Sequence, residues 1–406
     1  MIQLFKMAFR DLGRNKRRSL LSALAVSMGM SLLLLMASVL AGEMRGALQN
    51  TIKLQSGHLQ VRAASYDEDK LSLAWEDLIS DPSALVEQIK SIPQVVVATP
   101  RLLASGIVTR GENSRGVQVI GFDPQSEASL PIREGLIAGQ FVQPDDREGV
   151  LIGKPLAEKF SLRPGDSFSL LVNTSNGTVD EQPVTVRGIY TTSTNGYDEG
   201  TVFMPLAKAQ SFTGAGDHAS IIFVILKDRD QAEAVAAAIQ SPGYQVLTWR
   251  KMNELIVQTE QFAGAYMMFL YLIVLGITAT VVTNTLVMAV FERTREIGIL
   301  GAIGMKARRI MAMFLTEGGL IATGGVIGGL ILGGLMVAYF TRYGFYIGNM
   351  GLTGILMGDR IFAFLTLRDM IRLTLLTYLV TLVASLYPAL IAARMEPVAA
   401  LHGTGD

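Results

Sequence analysis

Among the side chains able to bind a metal or carry a proton in this 406-residue chain are its three histidines, His58, His218 and His402, and a run of outer-segment carboxylates, Asp123, Asp145, Asp146, Glu148 and Asp166. A metal centre needs ligands at short, set intervals, and the histidines share none, with His402 far off in the C-terminal tail. The carboxylates fall at predicted turns, where a carboxylate caps backbone amides. Neither G-x-S-x-G nor H-E-x-x-H occurs, and no catalytic residue or metal ligand is expected. The phosphate loop G-x-x-x-x-G-K-[ST] is absent too, so ATP, if used, is bound by another chain. Asn173-Thr174-Ser175 and Asn176-Gly177-Thr178 match a short acceptor pattern that a hairpin explains equally well. Without cysteine the chain has no disulfide and no thiolate site.

A different chemistry is suggested by Glu292-Arg293-Thr294-Arg295-Glu296, which places two acids and two bases beside a long apolar run. Apolar side chains then alternate with small ones through Gly298, Gly301, Ala302 and Gly304. Small residues let another backbone approach closely, and flanking apolar side chains can fill a groove on a partner. The pattern is that of a docking knuckle.

Four elements must position this segment. Residues 19–41, 263–291, 318–340 and 373–393 lack Asp, Glu, Lys and Arg. At about 1.5 Å per residue, each is long enough to cross about 30 Å of hydrocarbon as a helix. The first is too long for the usual apolar core of a cleaved leader and is expected to be retained. Lys6, Arg10, Arg14, Lys16, Arg17 and Arg18 precede the first span, and Arg293, Arg295, Lys306, Arg308 and Arg309 lie between the second and third. This bias puts both ends of the chain and residues 292–309 in the cytoplasm, with residues 42–262 and the loop 341–372 outside. Arg342, Arg360, Arg368 and Arg372 weaken the rule in that loop without reversing it. Ile2, Phe5, Phe9 and Leu12 recur at helical spacing among basic residues, which predicts an amphipathic elbow over residues 1–18 lying on the membrane surface. The formal net charge is +0, so no whole-chain field favours nucleic acid.

The outer segment mixes helical and strand patterns. Strands are expected at His58–Arg62, Val95–Thr99, Leu102–Arg110 and Gly116–Phe122, with a helix over Ser83–Ile92 behind Asp81-Pro82. From Gly149 the chain is more strictly β, with turns at RPGD and TSNGTVDEQ. Strands follow near Glu199–Met204, Ile221–Leu226 and Tyr244–Thr248, with helices at Leu206–Phe212 and Asp230–Ile239. The expected fold is an integral membrane protein of four transmembrane helices, with a large α+β domain between the first two and a β-rich insert at about residues 125–205.

Within the spans, Gly325, Gly329 and Gly333 form a small-residue face, expected to pack within one subunit. Pro388 should kink or weaken the fourth span. Thr278, Thr280, Thr283, Asn284 and Thr285 make the inner half of the second span polar, for bonds across an interface or back to their own helix.

ERTREIGILGAIG, then FLTEGGLIATGGVIGG, then YPALIAARMEPVAAL resembles the permease family that includes MacB, FtsX, LolC and LolE, as does the order of the parts. MAFRDLGRNKRRSLLSALAVSMGMSLL, LQSGHLQV and YDEGTVFMPLAKAQ look most like the LolC/LolE branch. The resemblance implies an ABC transporter permease in a bacterial inner membrane, with its large domain periplasmic. Its partners would be a cytoplasmic ATPase dimer carrying ATP and Mg, and a second permease, identical or homologous. Residues 292–304 would be the coupling helix through which the ATPase moves the spans. Met28, Leu32, Leu35 and Met36 on the first span, with Met267, Met268 and Tyr271 on the second, would border a cavity open to the outer leaflet. Flexible methionines suit acyl chains. The implied work is extraction of a lipoprotein or other amphiphile, handed to a periplasmic acceptor. MacB-like efflux and FtsX-like control of a cell-wall hydrolase are the alternatives.

Overall fold

The computed structural model describes residues 7, 9, 10, 13, 14, 16–239, 242–348 and 356–396. The elbow expected from Ile2, Phe5 and Leu12 therefore falls mostly outside the described residues, as does His402. Two compact units divide the chain, one of residues 1–43, 260–345 and 361–406, the other of residues 44–259 and 346–360.

The first unit is a helical bundle. Helix α1 (Lys16–Thr51) carries the first span and runs on into the sequence of the second unit. That second unit begins with β1 (Leu59–Ala63), α2 (Pro82–Lys90), β2 (Val95–Arg110) and β3 (Asn113–Phe122). Next come α3 (Leu130–Glu134), β4 (Leu136–Gly139), β5 (Gly149–Gly153), α4 (Lys154–Phe160), β6 (Ser167–Asn173) and β7 (Val179–Tyr190). It continues through α5 (Asn195–Gly200), β8 (Thr201–Pro205), α6 (Leu206–Thr213), β9 (Ile221–Leu226), α7 (Ala232–Ile239), β10 (Tyr244–Thr248) and α8 (Trp249–Met252). Helices α9 (Glu254–Glu292), α10 (Thr294–Ala302), α11 (Ala307–Tyr343) and α12 (Leu367–Ala393) complete the chain.

Helices α1, α9, α11 and α12 are long and apolar enough to cross a membrane. Each exceeds its charge-free run, because backbone hydrogen bonding continues where a charged side chain can reach water. Helix α11 takes in Arg308 and Arg309, and α12 takes in Arg368 and Arg372.

The second unit is built on a mixed sheet in the order β10-β1-β9-β2-β3-β8-β5-β7-β4, with β6 paired to both β2 and β7. Pairs β3–β8 and β5–β7 are parallel. Pro82 at the start of α2, with the Asp81 carboxylate accepting from Ala84 N at 3.0 Å, gives that helix the start its sequence predicts. Two strands expected on either side of Pro100 are one. Val95 to Arg101 pairs with β9, Leu102 to Arg110 pairs with β3, and the chain changes partners without turning. Strand β7 starts at Val179, inside the expected hairpin loop, and β4 had no sequence signal because its four residues, LIAG, are too few to show alternation.

Alternation along the strands builds three cores, one of them around Ile120, Phe122, Leu151, Tyr190 and Phe203. Leu59, Val61, Ile222 and Val224 close on α2 and α7 through Leu85, Ile89, Val235 and Ile239. Val108, Val119, Val150, Leu170, Val184 and Val202 close on α4 and α6 through Leu156, Phe160 and Phe212. The fold class is the expected one, a four-helix integral membrane protein with a large α+β unit inserted in sequence between the first two spans.

Candidate functional site

The charged stretch becomes a corner in the helical unit. Helix α9 ends at Glu292, Arg293 leaves helical geometry at φ −109° and ψ 18°, and α10 begins at Thr294. Helix α10 ends in a turn where Met305 N donates to Leu300 O and Gly304 N to Gly301 O, both at 3.0 Å. This is the reverse-turn cap that needs a left-handed residue, and Gly304 supplies it at φ +92°.

The charges hold the corner from several sides. Glu292 and Glu296, four residues apart, meet Arg18 and Arg14, also four apart. The Arg14–Glu296 contact spans 2.7 Å and is exposed, so it orients more than it stabilises. Arg293 turns inward. Its guanidinium lies 3.8 Å from Glu317 on α11, with side-chain exposures of 4% and 3%. Ile297 and Gly298 are buried, and Ile297 joins Val290, Ile310, Met313, Phe314, Ala389 and Ala392 in one apolar cluster.

What remains outside is Arg295, Ala302, Gly304, Ile299 at 44% exposure and Ile303 at 78%, while Gly301 is half-buried. Of the eight residues singled out for docking, the structure puts Arg293 and Gly298 inside and ties Glu292 and Glu296 to arginines. The outer face consists of Arg295, Gly301, Ala302 and Gly304 together with Ile299 and Ile303, two of the apolar side chains that alternate with the small ones.

The glycine face of α11 packs on α1. A Cβ at Gly325 would lie 2.5 Å from Val26 Cβ, and one at Gly329 would lie 2.5 Å from Met30 Cβ. At Gly333 it would sit 2.9 Å from Leu34 Cδ1. Thr377, Thr381 and Ser385 on α12, not singled out from sequence, are fully buried at intervals of four, and Thr377 Oγ1 lies 3.3 Å from Met30 Sδ. Their spacing was the available signal.

Pro388 sits buried inside a continuous α12. It has no N–H, so the Ala384 carbonyl loses its helical donor. Thr283 of α9 donates its hydroxyl to that carbonyl at 3.1 Å. Thr278, Thr280 and Thr285 instead bond back to Val274, Gly276 and Val281. Asn284 lies exposed beside Thr280, in a lateral groove of about 400 Å³ that Thr283, Leu379, Val383 and Ala384 also line. Thr283→Val should cost about 0.6–1.7 kcal/mol in detergent unfolding, and Pro388→Ala should abolish that cost by restoring a backbone donor. Equal costs in both backgrounds would show that the bond carries no energy.

Met28, Leu32 and Met268 are exposed, Leu35 and Met36 half-buried and Met267 buried. Tyr271 packs against the cluster of Met30, Leu34 and Leu373. In the second unit, burial holds His58 below its usual range and Leu226 N donates to its Nδ1 at 2.9 Å, a satisfied neutral ring.

Residues 19–241 match the family described as MacB-like periplasmic core domain, and residues 268–397 the one described as FtsX-like permease C-terminal. A lipoprotein-releasing system transmembrane protein LolE of Haemophilus influenzae is 24% identical, over 94% of this chain and 93% of its own length. A lipoprotein-releasing system transmembrane protein LolC of Xylella fastidiosa is 23% identical, over 95% and 93%. A probable export ATP-binding/permease protein MacB of Pseudomonas entomophila is 25% identical over 98% of this chain, but this chain spans only 58% of that protein.

Proposed function

Because this chain belongs to the ABC transporter permease family built from a MacB-like periplasmic core domain and an FtsX-like C-terminal region, we propose that α10 is where a separate ATPase subunit docks. The observation that carries this reading is the apolar rim of Ile299 on α10 and Ile303 just past its end, both exposed, while Ile297 on the same helix and the Arg293–Glu317 pair at its start are buried. An apolar side chain held out from a rigid corner is what a groove on a partner recognises. ATP and Mg belong to that partner, and the chain itself is not an enzyme.

The chain works in a bacterial inner membrane with both termini cytoplasmic, its second unit periplasmic, and a second permease beside it. The motion delivered at α10 extracts a lipoprotein or another amphiphile from the outer leaflet. Near-full-length similarity to proteins named for lipoprotein release supports this over efflux. The exposed Met28, Leu32 and Met268 are apolar surface that a second permease can turn into a cavity wall.

The test is to purify the complex through a tag on this chain. Wild type should bring an ATPase with it, together with a related permease and a lipoprotein. Ile303→Asp should lose the ATPase, because a buried hot-spot side chain is worth about 2 kcal/mol or more, roughly thirtyfold in affinity. Normal ATPase recovery and hydrolysis with Ile303→Asp would sink the docking claim. Recovery of an ATPase with neither second permease nor lipoprotein would leave docking intact but remove lipoprotein release, favouring an exporter or a signalling device. Bulky residues at Gly304 are a poorer probe, since φ +92° strains them whatever they touch.

A further inference from the structure

The second unit buries a cation that the transport reading does not use. On one face of the sheet, where apolar residues would be expected, stand Gln60 and Arg62 of β1 and Arg101 of β2, each no more than 5% exposed. Arg62 is fully engaged. Its Nη1 donates to Glu68 at 2.6 Å, and its Nε and Nη2 donate to Gln60 Oε1 at 3.0 and 2.7 Å.

Arg101 is not matched in this way. It donates to the carbonyls of Leu54 at 3.1 Å and Ala128 at 3.4 Å, and its guanidinium lies 3.7 Å from the centre of the Phe223 ring. None of these carries a formal negative charge. Burial pulls the guanidinium down to about 10, so it stays charged at neutral pH. Its Nε–H has no hydrogen-bond partner. The hydroxyl of buried Tyr66 is also unsatisfied. Ser220 is close enough to perturb that phenol but bonds to Leu103 instead. Arg101, Arg62, Tyr66 and Glu68 border one cavity of about 30 Å³.

We infer that this cavity is a binding site for one small monovalent anion of halide size, held by Arg101 Nε–H and the Tyr66 hydroxyl. Three arguments converge. The charged groups around the cavity, Arg62, Arg101 and Glu68, sum to one positive charge in a buried setting, where an uncompensated charge is costly. The unsatisfied groups can both donate, and an anion accepts from both without hydrogens of its own to place. A water could accept from both as well, but it brings no charge to offset the buried guanidinium. The volume suits one small occupant, since a single water needs about 10–15 Å³. Arg101 is also the residue at which β2 passes from β9 to β3, so the ion would brace the strand where its pairing changes.

Both tryptophans, Trp75 and Trp249, lie in this unit, so fluorescence of the full chain in detergent reports its unfolding selectively. At constant ionic strength, replacing gluconate with chloride or bromide should raise the wild-type midpoint saturably. Tyr66→Phe keeps the ring and should raise the halide concentration for half-effect about tenfold, as loss of one charge-assisted hydrogen bond requires. Absence of a halide effect would mean that the cavity takes water only. An equal effect in Tyr66→Phe would place the ion elsewhere, and either result overturns the proposal. Should the variant fail to fold, anomalous scattering from crystals of the wild-type chain in bromide decides. A peak between Arg101 Nε and Tyr66 Oη is expected, and its absence refutes the site.

Discussion

Glu317→Ala should destabilise the helical unit by about 3–5 kcal/mol. The carboxylate lies 3.8 Å from the Arg293 guanidinium, and the pair is all but sealed from solvent. Removing the acid takes a carboxylate away from a buried guanidinium, which weakens the compensation for its desolvation. The control is Arg293→Met with Glu317→Met. Replacing a whole buried ion pair by apolar side chains of similar volume is often neutral, so the double variant should recover most of the loss. Unfolding in detergent against a denaturant series measures all three. A Glu317→Ala cost below about 1 kcal/mol would show that the pair is solvated in the membrane and does not anchor the corner. Because Arg293 is the hinge residue between α9 and α10, the same variant should loosen Ile299 and Ile303, linking a stability measurement to docking.

The ERTRE segment shows where sequence reading stops. Five letters mark charge at the end of the second apolar run, a local property of the sequence, and the long helix breaks there, at Arg293. That Arg293 points inward and Arg295 outward depends on one non-helical residue that rotates α10 relative to α9, and no periodicity carries across such a break. Glu317 sat in view at the edge of the third apolar run, yet nothing local said what it would meet. Pro388 was legible as a missing donor, whereas the Thr283 hydroxyl that makes up for it lies about a hundred residues away in sequence.

In the second unit the same limit appears as burial. Gln60 and Arg62 sit at the alternate positions of a strand whose other residues, Leu59, Val61 and Ala63, are core, and sequence reads such a pattern as one wet face. Both faces of β1 are in fact buried, and residues outside the strand, among them Leu54, Gln55, Tyr66 and Glu68, lie over the polar one. Strand alternation tells which residues share a face but not what lies over it.

Gly329→Leu should break the contact between the first and third spans, while Gly324→Leu, in the same glycine-rich run, should be silent. At Gly329 the added Cβ alone meets Met30 Cβ at 2.5 Å and the Ser27 carbonyl oxygen at 2.9 Å, so the obstacle includes backbone and cannot rotate away. Overpacking of this kind costs roughly 1–3 kcal/mol when neighbours yield, and more when helix axes must separate. At Gly324 nothing lies within 4 Å of the same atom, which predicts a change within about 0.5 kcal/mol. The readout can be chemical, because the chain has no cysteine. A Cβ at Gly328 would stand 3.4 Å from Ser27 Cβ, close to disulfide reach, so Ser27→Cys with Gly328→Cys should oxidise readily in the native bundle. Adding Gly329→Leu should reduce that cross-link by about tenfold or more, the factor that 1.4 kcal/mol of separation imposes. Adding Gly324→Leu should leave it unchanged. Equal cross-linking in both would mean that α1 and α11 meet elsewhere, and the small-residue face would then need another occupant.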